Sequence, residues 1–316
     1  MKDVNGPEGL QKFSDPLRTA RGETRAEVAL TNPDTLWFNT GTLCNIECLS
    51  CYIESSPTND ALVYMTRAEV EDYLAQARSR GWSLREIGFT GGEPFMNPEI
   101  IGMTEASLLA GYEVLILTNA MQPMMRRRLR DGLVDLHTRF PGRLTLRVSL
   151  DHWSARHHDA ERGTGSFERS LEGMRWLRDE GIAMTVAGRT VWGESEAEAR
   201  AGYDALYRAE GFAIDAQNPG RTVLFPEMDE TVDVPEITTA CWGILHKSPD
   251  SVMCASSRMV VKRKGAATPT VVSCTLLPYE RDFELGRTLA EAERPVRLNH
   301  PHCAKFCVLG GASCSA

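Results

Sequence analysis

From residue 36 onward the chain repeats one pattern: a short run of branched and aromatic residues, a polar or glycine-rich turn, an amphipathic stretch, then a glycine. Residues 36–40, 86–90, 113–118, 143–150 and 183–191 read as strands, with a weaker one at 222–225. Stretches 66–80, 98–110, 123–137, 166–180 and 194–210 read as helices between them, the first opened by Thr66 with Glu69 three residues on. Gly81, Gly111, Gly181 and Gly211 each stand just past a helical stretch, where a left-handed residue ends a helix. This alternation dictates an α/β fold with a parallel sheet covered by helices.

Residues 1–35 carry charge, Gly and Pro without periodicity and read as a lead-in to a main unit at 36–227. Beyond it Pro226, Pro235, Pro249, Pro269, Pro278 and Pro295 break the chain into short pieces, and six of the nine cysteines lie from Cys241 onward. A boundary near 228–240 is expected. The part at 228–316 reads as a small cysteine-rich domain with limited apolar area, for which metal ligation would supply stability.

Charge and hydropathy narrow the function. With 35 Lys and Arg against 43 Asp and Glu, a formal charge of −8 disfavours a broad phosphate-binding surface, so nucleic acid is not an expected partner. The N-terminus lacks a signal-peptide apolar core, and no stretch is apolar enough for a membrane helix, so a cytoplasmic protein is expected. In a reducing compartment cysteine spacing is read for metals before disulfides.

The first strand is followed by Cys44-Asn-Ile-Glu-Cys48-Leu-Ser-Cys51-Tyr52. Three thiols on one short loop can converge on a soft metal centre and leave it a coordination site short; zinc ligation or buried thiols are the alternative. The second strand ends in Gly91-Gly92-Glu93-Pro94, where two glycines allow close backbone approach to a ligand and a carboxylate can accept from an ammonium group. Thr118-Asn119 ends the third strand, Ser149-Leu150-Asp151 the fourth, and Arg189 lies on the fifth. Then comes His157-His158-Asp159-Ala160-Glu161-Arg162-Gly163-Thr164-Gly165-Ser166-Phe167, read as a loop into a helix capped at Ser166. The paired histidines are read as loop residues and not as ligands.

These motifs, in this order, resemble the radical S-adenosylmethionine (SAM) enzyme superfamily, with its C-x3-C-x2-C loop, GGE turn and TN turn. The resemblance implies a partial (β/α)6 TIM-like barrel in which Cys44, Cys48 and Cys51 hold a [4Fe–4S] cluster whose open iron binds SAM. It implies that Tyr52, Gly91, Gly92, Glu93, Asn119, Ser149, Asp151 and Arg189 contact SAM: Glu93 and the glycine backbone its amino group, Ser149 and Asp151 the ribose, Arg189 the carboxylate. A low-potential donor of the flavodoxin or ferredoxin type would supply the electron that cleaves SAM to methionine and a 5′-deoxyadenosyl radical, which takes hydrogen from the substrate. No catalytic acid or base is readable.

Near the C-terminus a β-hairpin turning at Gly265 would bring Cys254 and Cys274 to comparable positions, and Cys303 and Cys307 share a helical face at i, i+4. The basic run Lys262-Arg263-Lys264 reads as a solvated hairpin tip. The layout resembles the SPASM and twitch iron–sulfur extensions of that family and implies one auxiliary [4Fe–4S] cluster, with Cys241 and Cys314 left over; a zinc or metal-free domain is the alternative. Enzymes with such extensions oxidise or cross-link peptides and proteins, which makes a peptide the first expected substrate and a small metabolite the second. A non-catalytic iron–sulfur or zinc protein stands as the reading from another class.

Overall fold

A computed structural model describes residues 11–227, 229 and 231–310. Its strands are β1 (Glu27–Val28), β2 (Thr35–Asn39), β3 (Glu86–Thr90), β4 (Glu113–Thr118), β5 (Leu144–Ser149), β6 (Ala183–Arg189), β7 (Thr222–Phe225), β8 (Ser257–Val261), β9 (Thr270–Val272), β10 (Glu284–Gly286) and β11 (Val296–Arg297). The helices are α1 (Arg67–Arg80), α2 (Ile100–Leu109), α3 (Arg127–Arg139), α4 (Ala155–Arg162), α5 (Ser166–Asp179), α6 (Glu196–Glu210) and the short α7 (Cys241–Leu245). One sheet runs in the order β10-β9-β8-β2-β3-β4-β5-β6-β7, with β2 through β7 parallel neighbours in chain order. The parallel run β2–β7 is the helix-covered sheet the alternation dictates, and its six strands agree with the partial barrel the resemblance implies.

Local chemistry explains the boundaries. Thr66 and Glu69 form the expected capping box on α1, and Ser195 with Glu198 forms another on α6. Gly81 and Gly211 close these helices at φ of 70° and 68°. Ser166 is not the cap of α5: Gly165 occupies that position and Ser166 is the first helical residue. The free amides are served by Asp159, whose carboxylate accepts from Gly165 N at 2.7 Å, Phe167 N at 2.8 Å and Ser166 Oγ at 3.1 Å. A carboxylate at a helix N-terminus satisfies donors and the helix dipole together.

The expected hairpin forms, with Val261 opposite Thr270 and Met259 opposite Val272, turning through Gly265 at φ 79°. It does not stand apart from the barrel. Strand β8 pairs in parallel with β2 from Thr35↔Ser257 to Phe38↔Val260, so the sheet continues into the cysteine-rich part. Met259, Val260, Val271 and Val272 are buried in the same core as Leu36, Trp37 and Phe38. Only part of the basic run is a solvated tip: Lys264 and the turn after it are exposed, with Lys264 near Asp60 at 2.6 Å, whereas the half-buried Lys262 pairs with Glu69 at 2.5 Å and Arg263 with Glu284 at 2.5 Å. The three cations fasten the hairpin to α1, to β10 and to the loop after the cysteine triplet. Among the described residues no helix is long and apolar enough to cross a membrane.

Candidate active site

The loops that leave the C-terminal ends of β2 to β6 meet over one cavity, the end at which barrel folds build their sites. Cys44, Cys48 and Cys51 all line it, and none is in a disulfide. Tyr52, Gly91, Gly92, Asn119, Ser149, Asp151 and Arg189 line it too. Residues spread over more than 140 positions of sequence are thus gathered by five strand ends.

The cysteine loop is held from several sides. Gly92 N donates to Gly41 O at 2.8 Å and Glu93 N to Leu43 O at 3.1 Å. A Cβ on Gly91 would sit 2.5 Å from Gly41 O, and one on Gly92 would sit 2.3 Å from Leu43 O. The two glycines therefore serve a close approach between two stretches of backbone, one of which leads into the cysteine loop. Asn119 Nδ2 donates to Asn45 Oδ1 at 2.9 Å, tying the third strand end to the same loop. From the opposite side, Leu49 N donates to Glu161 O at 3.0 Å and Ser50 Oγ to Glu161 Oε1 at 3.3 Å, at the C-terminal end of α4.

Glu93 faces inward. Its carboxylate accepts from Thr118 Oγ1 at 2.9 Å, Asn119 N at 2.8 Å and Phe95 N at 3.2 Å, and the residue is buried. Burial lifts its pKa to about 7 against the pull of those three donors. Asp151 is clasped by Arg162, Nε to Oδ2 at 2.6 Å and Nη2 to Oδ1 at 3.0 Å, and Arg189 donates to Glu161 Oε2 at 3.1 Å. The Arg162–Asp151 pair is a fork on a carboxylate and the Arg189–Glu161 pair a single bond, both largely shielded from bulk water. Without a metal the thiols favour their protonated form: burial pushes Cys44 up to about 12 and raises Cys48. The Arg162 guanidinium acts against that at both.

Arg162 is the functional side chain that sequence reasoning missed. It stood inside the resemblance stretch, but nothing in sequence said that α4 would bring it back to the cysteine loop. Arg147, Phe225, Leu276 and Phe306 also line the cavity. Phe306 comes from the π-helical turn Cys303–Leu309 and stacks on Phe225 with ring centroids 5.6 Å apart. Of the paired histidines, His157 packs among Trp192 and His152, and His158 is wholly buried against Phe167.

The C-terminal thiols also converge. Cys254, Cys274, Cys303 and Cys307 line a second, smaller cavity together with His302 and Leu276, and Leu276 lines both. Cys241 does not line it; its sulfur accepts from Thr238 N at 3.3 Å. Cys314 lies outside the described residues. Among the described residues no three His, Cys, Asp or Glu side chains meet at the spacing of a single-ion site.

Against known sequences, the family model of the Radical SAM superfamily matches residues 38–201, which takes in the cysteine loop, the glycine turn and the strand ends around the cavity. This chain belongs to the radical SAM superfamily. Membership implies SAM and a [4Fe–4S] cluster as cofactors. The subtilosin biosynthesis protein AlbA of Bacillus subtilis, an antilisterial bacteriocin pathway protein, is 28% identical over 192 residues, 59% of this chain and 40% of AlbA. An AdoMet-dependent heme synthase of Methanosarcina barkeri is 29% identical over 155 residues, 48% of this chain and 41% of the synthase. Each match thus spans about two-fifths of the relative's length. Among solved structures, anSMEcpe with bound AdoMet superposes with a TM-score of 0.60 at 12% identity over 87% of this chain and 84% of that one. Streptococcus suis SuiB bound to S-adenosylmethionine gives 0.57 at 13% identity over 81% and 63%. At such identities the likeness is one of fold.

Proposed function

We propose that this chain is a radical SAM enzyme that abstracts hydrogen from a peptide or protein substrate in an oxidation or cross-linking reaction. The observation that carries the reading is the gathering of Cys44, Cys48 and Cys51 on one cavity with the glycine turn, Asp151, Arg162 and Arg189 around it. The residues fit the cofactor. Three unpaired thiols supply soft ligands, and Ser55 N donates to Cys51 Sγ at 3.4 Å, a contact that favours a thiolate. Bound there, the cluster and SAM supply a 5′-deoxyadenosyl radical.

The chain's own residues bind, orient and exclude water. Asp151 and Arg189 are already ion-paired with Arg162 and Glu161, so any contact they make with SAM uses the lone pairs and N–H groups those pairs leave over. Glu93 acts by fixing the Thr118-Asn119 turn, and the Gly91–Gly92 backbone is the part of that motif that faces the cavity. Phe225, Leu276 and Phe306 form an apolar wall that keeps water from a reactive species. Cys254, Cys274, Cys303 and Cys307 are proposed to hold one auxiliary [4Fe–4S] cluster, in a cavity that shares Leu276 with the first. An electron donor of the flavodoxin or ferredoxin type completes the cycle.

Support for a peptide substrate comes from relatives: AlbA by its name takes part in bacteriocin biosynthesis, and SuiB and anSMEcpe were solved with peptides. The heme synthase relative supports a second reading, a small metabolite. The test is iron and sulfide per chain after anaerobic reconstitution, on the wild type and on a Cys44/Cys48/Cys51→Ala triple variant. About eight irons falling to about four supports both sites; about four falling to none removes the auxiliary site. Deuterium transfer into 5′-deoxyadenosine from labelled peptide, and not from labelled porphyrin precursors, then separates the two substrate classes.

A further inference from the structure

Arg258 is the second residue of β8 and is fully buried, with its guanidinium against the backbone of Cys254, which lines the second cavity. Its guanidinium donates Nε to Ala292 O at 2.9 Å, and Nη1 to Cys254 O at 2.6 Å and Ser257 O at 2.8 Å. Every one of these acceptors is a neutral backbone carbonyl. The buried Arg25 is matched to the carboxylate of Glu236, and the less buried Arg162 and Arg189 to Asp151 and Glu161, whereas the buried Arg147 donates Nε to the Thr185 hydroxyl at 3.2 Å. Among the described residues Arg258 forms no such pair, and the ionisable groups whose charge reaches it are Cys254 and Cys274.

An arginine side chain in a protein does not give up its proton, and an uncompensated charge in a low-dielectric interior is costly. A fold that buries one needs a counter-anion. The four thiols of the second cavity become that anion when a metal centre draws off their protons. We propose that Arg258 is the built-in counter-cation of an anionic centre held by Cys254, Cys274, Cys303 and Cys307, and that it sets the reduction potential of that centre. The inference rests on the auxiliary-cluster reading. Its physical basis is that an added electron makes an anionic centre more negative, so a fixed positive charge beside it favours the reduced form. Through its bond to Cys254 O the same guanidinium also positions the backbone of a ligand residue.

The experiment is an EPR-monitored redox titration of the reconstituted enzyme, following the signal that does not respond to SAM, for the wild type, Arg258→Lys and Arg258→Gln. Arg258→Gln, with iron retained, is expected to lower the reduced-to-oxidised ratio at a fixed poise at least tenfold, which is 59 mV for one electron. Arg258→Lys, which keeps the charge, is expected to stay within threefold of the wild type. An unchanged potential in Arg258→Gln overturns the proposal, and so does a shift in Arg258→Lys as large as that expected for Gln. If Arg258→Gln does not fold, Arg258→Lys alone decides by the same limits. A wild type that takes up only about four irons overturns the auxiliary-cluster reading itself. About eight irons with an insensitive potential leave that reading standing and remove only the role of Arg258.

Discussion

At Glu93 a single carboxylate answers three buried donors, so its removal strands Thr118 Oγ1, Asn119 N and Phe95 N together. Glu93→Ala is expected to lose about 2–3 kcal/mol of stability in urea unfolding and to weaken SAM binding measured by equilibrium dialysis, with cluster iron retained. His158 contributes a pH dependence of its own. Burial holds its pKa down at about 4 against an ordinary 6.5, so the unfolded chain takes up the proton first as acid is added. The stability tied to the neutral ring is complete above pH 6.5 and lost as pH falls from 6.5 through about 4, amounting to about 3 kcal/mol. Urea midpoints of the wild type and His158→Leu, compared at pH 7.5 and pH 5, check it: the wild type should lose more stability over that interval. Arg162 shows where reading a single residue stops, because its partner Asp151 is eleven positions away and its other neighbours are the cysteines of a different loop.

Elements built on local chemistry were legible in the sequence. Capping boxes at Thr66/Glu69 and Ser195/Glu198 are satisfied within four residues, and β2 to β7 each carry an apolar run, whereas the two- and three-residue strands β1, β10 and β11 carry none and were not read. Contacts between elements were not. The Gly91–Gly92 turn reads as room for a ligand, whereas it is also the seat of the Gly41–Leu43 backbone. Gly92→Ala is therefore expected to displace the cysteine loop and reduce iron uptake at the first site at least fivefold, read by iron analysis, while far-ultraviolet circular dichroism stays near the wild type. Likewise Ser166 has the side chain of a cap, but Asp159 reaches the free amides from the previous helix because the α4–α5 turn brings it there.

For the molecule as a whole, the decisive fact is that β8 pairs with β2 and continues the barrel sheet. Cutting the chain after residue 227 would expose the β2 edge and the apolar faces of Trp37 and Phe38. Limited proteolysis of the native protein is expected to yield no stable fragment covering 36–227, and a truncated chain ending there should precipitate on expression. The separation of the two thiol sets gives a further expectation: Cys254→Ala or Cys274→Ala should lose iron from the second site alone and keep SAM binding.

Sequence by itself determined the alternation of strands and helices, the cysteine loop after the first strand, the glycine turn after the second and the family to which they belong, because each of these is written in residues close together. Tertiary structure decided the rest: that α4 carries Arg162 and Glu161 to the cysteine loop, that Glu93 turns inward, that the hairpin adds to the sheet and buries Arg258 beside Cys254 and Cys274. Most of those contacts join residues on different elements, and side-chain charge and burial acquire their partners only when the elements pack together.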